Sequence, residues 1–528
     1  MLFTSFDFIL FISLLFVIYY IIPKKLQWGL LLVASYLFYF IAGPKYLIYI
    51  LVTTASTYLV GRKIDQLEIR QKHYFEANKD MSRADKKEHR SKTKAKQWKW
   101  LLVCLVFNFG ILAVVKYTNF TIHNINILLN SFGSDRKLSF LSIALPMGIS
   151  FYTFKTMGYI IDVYRKKYRA EKNFFKLALF VSFFPQLIQG PISRYDNLSK
   201  TLFKGHKFNS KQVGYGVQRI IWGYFKKLVL ADRILIAVNT LVGDPDLYQG
   251  GYVFVGMLFY AYQLYADFTG GIDITIGIGQ VLGVEMEENF NRPYFSKSIA
   301  EYWRRWHITM GTWFKDYLFY PISVSKPMLN LSKFSRKKFG NVLGKRIPIY
   351  LSTSLVWFTT GLWHGSSWNF IVWGLTNCFV ILLSQEFRPF YDWFHSKFKV
   401  KDKLSFRIFQ IVRTVLLMSS IRMFDCYRDV PMTFKMFGTM FYKFNIRQLF
   451  NGSLLKIGLS AADYLILFAG LIVLTTVSIL QARGSVRERL DNRPIVRNAF
   501  YYALIICIII FGAYGVGYDS SQFIYNQF

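Results

Sequence analysis

Two of the seven histidines lie in sequence settings that could support chemistry. His364 lies between two glycines, Gly361 and Gly365, in the segment Thr359-Thr-Gly-Leu-Trp-His364-Gly-Ser-Ser-Trp-Asn369. Its neighbours Trp363 and Trp368 supply apolar walls, and an imidazole with a pKa near 6.5 is suited to accepting a proton near neutral pH. The residues leave two interpretations open: a general base in a narrow apolar tunnel, or a core histidine hydrogen-bonded to a carbonyl or to Asn369.

The second histidine, His307, follows the aromatic and basic run Tyr302-Trp-Arg-Arg-Trp306. The charged residues around it predict an amphipathic helix at the cytoplasmic membrane surface, where a histidine is normally solvated. These charged residues are Glu301, Arg304, Arg305, Lys315 and Asp316.

Two acidic residues lie in an apolar segment, Asp267 and Asp273. A carboxylate at membrane depth is costly unless it is paired or faces a polar cavity. We expect structural ion pairs with Arg304 or Arg305, and we include Asp267 among the candidate binding residues.

Composition indicates the kind of protein that must position these residues. The 528 residues are 53% apolar and 19% aromatic, yet the formal net charge is +35. Intrinsic disorder is excluded, and a soluble fold would expose too much apolar surface. The basic residues lie between long apolar runs and do not form one water-facing patch, which argues against nucleic-acid binding. The four cysteines form no CxxC pair and predict neither disulfides nor a metal site.

Apolar runs of membrane length predict an all-α, multi-pass integral membrane protein with about 11 spans. The first run has no basic n-region and no cleavage site, so we interpret it as a span and not as a signal peptide. The predicted spans are 6–23, 27–43, 45–61, 101–116, 141–163, 212–242, 252–283, 347–384, 405–421, 455–480 and 499–516.

Charge predicts the orientation of these spans, because short cytoplasmic loops are enriched in Lys and Arg. Residues 62–99 carry 13 basic and 6 acidic side chains, and 326–346 carry 7 basic and no acidic ones. Both segments should be cytoplasmic, which places the N-terminus and the C-terminus outside. The 62–99 loop reads as a charged helix or helical hairpin.

Two segments do not fit a simple span. Residues 177–193 are interrupted by Pro185, Gly190 and Pro191, which predicts a re-entrant segment. Residues 347–384 are too long for one span and predict a hairpin that bends near His364.

Several motifs together resemble the membrane-bound O-acyltransferases, in particular the bacterial branch of alginate O-acetylation and peptidoglycan O-acetyltransferase proteins. The similar stretches are Leu145-Pro-Met-Gly-Ile-Ser-Phe-Tyr-Thr-Phe154, Phe184-Pro-Gln-Leu-Ile-Gln-Gly-Pro-Ile192, Phe225-Lys-Lys-Leu-Val-Leu-Ala-Asp-Arg233, Tyr265-Ala-Asp-Phe-Thr-Gly270, Glu288-Asn-Phe-Asn-Arg-Pro-Tyr294, Tyr302-Trp-Arg-Arg-Trp-His307, Gly361-Leu-Trp-His-Gly365 and Phe523-Ile-Tyr-Asn-Gln-Phe528. The segment Ile421-Arg-Met-Phe-Asp-Cys-Tyr-Arg428 departs from the family pattern.

The resemblance implies one membrane domain over 1–528, a ring of helices around a central tunnel. Its motif-bearing core is 140–375 and its C-terminal spans are 405–528. His364 matches the family's catalytic histidine and His307 its second characteristic histidine. A bacterial cytoplasmic-membrane enzyme is implied, which takes an acetyl group from cytoplasmic acetyl-CoA, with no tightly bound cofactor, for O-acetylation of an extracytoplasmic polysaccharide.

On this basis His364 is the expected general base, and the expected donor-binding residues are Arg304, Arg305, Trp306, Trp363, Asn369 and Asp267. Asn369 or backbone N–H groups would stabilise an oxyanion. An extracytoplasmic, SGNH-esterase-like protein is the expected partner. The alternatives are D-alanyl transfer to teichoic acid, a glycan transporter or flippase, and a catalytically silent scaffold.

Overall fold

The computed structural model describes residues 3–514, so the C-terminal motif Phe523–Phe528 lies outside the described residues. The described chain is helical, with a single isolated β-bridge between Phe290 and Trp306 and no strand in the range 3–514. It forms two compact units: residues 1–213 with 278–286, and residues 214–277 with 287–528.

The first unit contains all eight helices that precede residue 210. They are α1 (Phe6–Ile21), α2 (Gln27–Ala42), α3 (Leu47–Ala77), α4 (Arg83–Ser131), α5 (Ile149–Tyr164), α6 (Phe174–Ser182), α7 (Pro185–Gln189) and α8 (Tyr195–Leu202). Helices α3 and α4 pack against each other and extend through the charged 62–99 segment, so the predicted helical hairpin is confirmed.

The break predicted in 177–193 is also confirmed, since α6 ends at Ser182 and α7 ends at Gln189 before Gly190. Lys155 of α5 donates from Nζ to Oε1 of Gln186 at 2.8 Å, and Gln186 donates from Nε2 to Ser193 at 2.7 Å. Buried hydrogen bonds thus join Lys155, the residue after the Leu145–Phe154 motif, to the Phe184–Ile192 motif. Whether this broken segment re-enters a membrane stays a prediction.

The second unit contains the remaining helices, and α9 and α11 each continue from one unit into the other. They are α9 (Ser210–Tyr224), a π-helix (Phe225–Ala231), α10 (Asp232–Gly243), α11 (Gly251–Val281), α12 (Ile299–Arg305), α13 (Ile308–Phe314), a second π-helix (Lys315–Phe319), α14 (Tyr320–Ser323), α15 (Lys326–His364), α16 (Trp368–Glu386), α17 (Arg388–Phe398), α18 (Leu404–Tyr427), α19 (Val430–Tyr442), α20 (Ala461–Gln481), α21 (Val486–Asp491) and α22 (Pro494–Phe511). Short 3₁₀ turns cover Lys24–Leu26, Pro44–Tyr46, Pro293–Phe295, Ile446–Leu449 and Ser453–Lys456.

The hairpin predicted over 347–384 is confirmed. Helix α15 ends at His364, the chain turns through Gly365, and α16 begins at Trp368 and packs along α15. The basic 326–346 segment is the first part of α15, which is interrupted at Gly340 (φ 73°).

Six described helices are long and apolar enough to cross a membrane. They are Lys24–Ala42, Arg83–Ser131, Trp368–Glu386, Leu404–Tyr427, Ala461–Gln481 and Pro494–Phe511. Many of their large apolar side chains are exposed, as expected of a surface that faces lipid. The all-α membrane class is therefore confirmed, while the count of about 11 spans and the arrangement as a ring around a tunnel stay predictions.

Candidate active site

His364 occupies the end of α15, where the hairpin is packed too tightly for larger residues. A Cβ on Gly361 would lie 2.5 Å from the Phe370 carbonyl oxygen, and a Cβ on Gly365 would lie 2.1 Å from the Phe370 ring. The two glycines therefore allow α16 to approach the last turn of α15. This close approach fixes the position of the imidazole.

The imidazole of His364 is only 9% exposed and lies among aromatic rings. Its ring centroid is 4.7 Å from that of Trp373 and 5.0 Å from that of Trp363, both at edge-to-face angles. Phe370 stacks on it at 6.4 Å. Aromatic walls of this kind exclude water from a proton-accepting nitrogen.

His307 is buried, at 1% exposure, at the junction between α12 and α13. Its backbone is left-handed (φ 47°), which ends α12 and starts α13 in a new direction. The interpretation of His307 as a solvated residue of an amphipathic helix is therefore wrong. The left-handed residue breaks the helix and turns the imidazole into the protein interior.

Asn289 holds this junction in place. Its Oδ1 accepts hydrogen bonds from the Thr309 backbone N–H (3.1 Å) and hydroxyl (2.9 Å), and lies 3.2 Å from Nδ1 of His307. Because a backbone N–H can only donate, the atom facing His307 is the oxygen. Nδ1 of His307 therefore carries the proton, and the lone pair of the neutral ring is on Nε2. Asn289 lies in a motif quoted above, but its role could not be read without the contact.

One indole connects the two histidines. The ring of Trp363 is 5.9 Å from His307 and 5.0 Å from His364, measured between ring centroids. The structure thus brings His307, Trp363 and His364, which were expected separately as catalytic or donor-binding residues, into one cluster.

A residue outside the predicted set, Arg422 of α18, belongs to the same cluster. Its guanidinium carbon lies 5.0 Å from the ring centroid of Trp306, 5.1 Å from Trp373 and 5.5 Å from Trp303. Sequence reasoning missed it because it lies in the segment that departs from the family pattern.

A cavity of about 490 Å³ opens beside His307. Its lining is mostly apolar and includes Trp306, and two exposed cations, Arg304 and Lys315, also line it. The cavity combines an apolar interior with positive charge, which suits a ligand with an apolar end and an anionic end.

Arg305 and Asp267, predicted at the donor site, are engaged elsewhere. Arg305 pairs with Glu301 at 2.6 Å. Asp267 pairs with Lys227 at 2.5 Å, and Lys227 also contacts Asp232 at 2.7 Å. The predicted ion pair of Asp267 with Arg304 or Arg305 is therefore wrong, because a buried lysine from the π-helix supplies the countercharge.

The same correction holds for Asp273, which pairs with Lys226 at 2.5 Å and Arg219 at 2.8 Å. Arg219 also contacts Glu288 at 2.6 Å. This network lines a second cavity, of about 360 Å³, and Ile308 borders both cavities.

Asn369 holds the α16 end of the hairpin against α18. Its Nδ2 donates to the Phe424 carbonyl at 3.1 Å, and its Oδ1 accepts from the Ser367 hydroxyl at 2.5 Å. Both ends of the amide thus bind other parts of the protein, which is the arrangement of a positioning residue.

Long apolar helices that enclose two histidines in a tryptophan-rich cluster, beside a cavity with a cationic edge, define a multi-pass membrane protein with a site suited to proton transfer. Residues 169–424 match the model of MBOAT, the membrane-bound O-acyltransferase family. Through this domain the chain belongs to the membrane-bound O-acyltransferases.

Curated relatives of the chain include proteins that modify different polymers. The chain is 34% identical to a probable alginate O-acetylase AlgI of Azotobacter vinelandii over 365 residues, 69% of this chain and 64% of that protein. It is 30% identical to a peptidoglycan O-acetyltransferase of Helicobacter pylori over 65% of this chain and 62% of that protein. A teichoic acid D-alanyltransferase of Bacillus subtilis is 27% identical over 47% of this chain and 62% of that protein. The chain thus matches somewhat less than two thirds of the length of each relative.

Proposed function

We propose that this protein is an O-acyltransferase that moves an acetyl group from cytoplasmic acetyl-CoA across the membrane, for O-acetylation of a cell-envelope polysaccharide outside. The observation that carries the proposal is the burial of His364 among Trp363, Trp373 and Phe370. A neutral imidazole in such a setting can take a proton from a hydroxyl during attack on a thioester.

Acid–base chemistry and positioning are sufficient for this reaction. A thioester is already activated toward oxygen nucleophiles, so the enzyme has to orient it and deprotonate the alcohol. We assign His364 as the general base. His307 would contribute at the same cluster, with its orientation set by Asn289.

The acetyl donor would enter through the cavity beside His307. The exposed cations at this cavity, Arg304 and Lys315, would bind the phosphates of coenzyme A, and its apolar walls would hold the pantetheine arm. This side would face the cytoplasm, as the basic segment at 326–346, on the helix that also lines the cavity, predicts. The N-terminus and C-terminus would lie outside, in a bacterial cytoplasmic membrane.

The relatives favour an acetyl donor over a D-alanyl donor. The alginate and peptidoglycan acetylating relatives match this chain over 65–69% of its length, whereas the D-alanyltransferase matches 47%. The acceptor would be an extracytoplasmic polysaccharide, reached directly or through an SGNH-esterase-like partner that relays the acetyl group.

Thioester consumption in proteoliposomes tests the proposal. Wild-type protein should release free thiol from acetyl-CoA, and His364→Ala should reduce the turnover by about 10²–10⁴-fold, the usual contribution of a general base. His73→Ala is the matched control, because His73 is exposed in the charged hairpin. Near-normal turnover of a folded His364→Ala protein would remove the assignment.

The same preparation separates the alternatives. Thiol release from a D-alanyl carrier protein, with none from acetyl-CoA, would establish D-alanyl transfer. Movement of a glycan across the vesicle membrane without thioester consumption would establish a flippase. A silent scaffold would show neither activity.

A further inference from the structure

Arg422 is a buried cation with unused hydrogen-bonding capacity. Its side chain is about 5% exposed, and Nη1 donates to Oδ2 of Asp425 at 2.8 Å. Within the part of the chain that the structure describes, Nε and Nη2 of Arg422 have no hydrogen-bond partner. The Tyr302 hydroxyl is a hydrogen-bonding neighbour of the guanidinium, but it does not meet the distance and angle of a hydrogen bond to Nε or Nη2.

The indoles around Arg422 compensate its charge but cannot accept its N–H groups in the plane of the guanidinium. Trp303, Trp306 and Trp373 each lie within 5.5 Å of the guanidinium carbon. Cation–π contacts act on the charge, whereas the donors of a guanidinium point outward in its own plane. Buried donors without acceptors are uncommon in proteins, and a bound ligand is one physical reason for them.

The neighbours of Arg422 indicate what kind of ligand would accept these hydrogen bonds. Trp373 contacts Arg422 on one side of the cluster and His364 at a centroid distance of 4.7 Å. Trp306, the residue before His307, contacts Arg422 as well. An arginine that shares an indole neighbour with His364 and packs on the residue before His307 lies where negative charge would develop during attack on a thioester.

We propose that Arg422 stabilises the oxyanion of the acyl-transfer reaction, an inference that rests on the proposed function. The acceptor hydroxyl oxygen forms a bond to the thioester carbonyl carbon, its proton passes to His364, and the carbonyl π electrons move to the oxygen. Nε and Nη2 of Arg422 donate to that oxygen. When the intermediate collapses, the C–S bond breaks and the thiolate leaves with the proton held by His364.

This assignment replaces the one made from the sequence. Asn369 was the expected oxyanion donor, but its Nδ2 donates to the Phe424 carbonyl. That bond holds Asn369 against α18 as a positioning residue, at Phe424, which is two residues in sequence from Arg422. The guanidinium also carries a full positive charge, which stabilises an oxyanion more strongly than an amide does.

Kinetics of folded variants give the first test. Arg422→Gln and Arg422→Lys should lower kcat by about 10²–10³-fold, the usual effect of removing an oxyanion donor, with donor KM changed less than about threefold. Arg413→Ala is the control, since Arg413 lies on the same helix and is exposed. Fold is checked by the thermal unfolding midpoint in detergent.

The second test measures the relative affinity for two coenzyme A analogues, which would not change if Arg422 had only a structural role. One analogue carries a methyl ketone in place of the thioester, and the other is the ethyl thioether, which lacks the carbonyl oxygen. Wild type should bind the ketone more tightly than the thioether, and Arg422→Gln should abolish that preference. An equal weakening of both analogues, or a kcat within about twofold of wild type, would overturn the proposal.

The outcomes distinguish this inference from the proposed function. If wild type consumes no thioester and binds neither analogue, both fail together. If wild type is active and depends on His364, but the ketone preference survives in Arg422→Gln, only the role of Arg422 fails. Arg422→Lys provides a second variant if Arg422→Gln does not fold.

Discussion

The side-chain oxygen of Asn289 lies 3.2 Å from Nδ1 of His307 and accepts two hydrogen bonds from Thr309 as well. One amide oxygen thus fixes the tautomer of a buried histidine and closes the junction between α12 and α13. The segment that carries Asn289 also pairs with this junction through the backbone, since the Asn291 N–H donates to the Arg305 carbonyl at 2.9 Å.

The first prediction concerns this junction. Asn289→Ala removes the acceptor shared by His307 and Thr309, which should cost about 1–3 kcal/mol of stability and lower transfer activity. A double-mutant cycle with His307→Ala, measured as kcat, should show that the second substitution adds little to the first. Asn291→Ala is the control, because its side chain is exposed. Full additivity in the cycle would contradict the coupling.

The second prediction concerns the cationic edge of the cavity beside His307. Arg304→Ala combined with Lys315→Ala should raise the acetyl-CoA KM by about fivefold or more, because each exposed ion pair contributes up to about 1 kcal/mol. Arg305→Ala should leave KM nearly unchanged, since Arg305 pairs with Glu301. The measurement is KM at low and high ionic strength, and the difference between the variants should shrink at high salt. An equal rise in KM for Arg305→Ala and for the double variant would argue against this cavity as the donor entrance.

The third prediction concerns the buried lysine of the π-helix. Lys227→Met leaves Asp232 and Asp267 without the cation that contacts both, and should destabilise the protein by about 3–5 kcal/mol. Lys226→Met should cost less, because Asp273 keeps its contact with Arg219. Thermal unfolding in detergent compares the two variants. A smaller loss of stability for Lys227→Met than for Lys226→Met would contradict the larger contribution expected from the ion pairs of Lys227.

The fourth prediction concerns the hairpin that presents His364. Gly361→Ala places a methyl group 2.5 Å from the Phe370 carbonyl oxygen, so α15 and α16 must move apart. Such overpacking should cost about 1–3 kcal/mol and lower activity by displacing His364. Gly110→Ala is the control, since a methyl group there meets nothing within 4 Å. Unchanged unfolding and activity of Gly361→Ala would mean that the hairpin tolerates a wider spacing.

The sequence predicted those features that depend on local pattern. Apolar run length predicted the helical membrane class and the hairpin that bends near His364, and proline and glycine predicted the break near Gly190. The sequence also named His307, Trp363 and His364 as candidates, because each lies in a motif of the family, but it did not show that they meet in one cluster. Spacing along the chain could not, however, identify the partners of Asp267 and Asp273, which pair with lysines about 40 or more residues earlier in the sequence.

The sequence by itself thus determined the class of this protein and the histidines on which its chemistry would depend, because hydrophobicity and motif are properties of short segments. Only the tertiary structure decided which charges meet. Burying a cation requires an anion or an aromatic ring within a few ångströms, and the chain supplies these from distant helices. Arg422 shows this most clearly: its segment departs from the family pattern, yet packing places its guanidinium among three indoles, one of which also contacts His364.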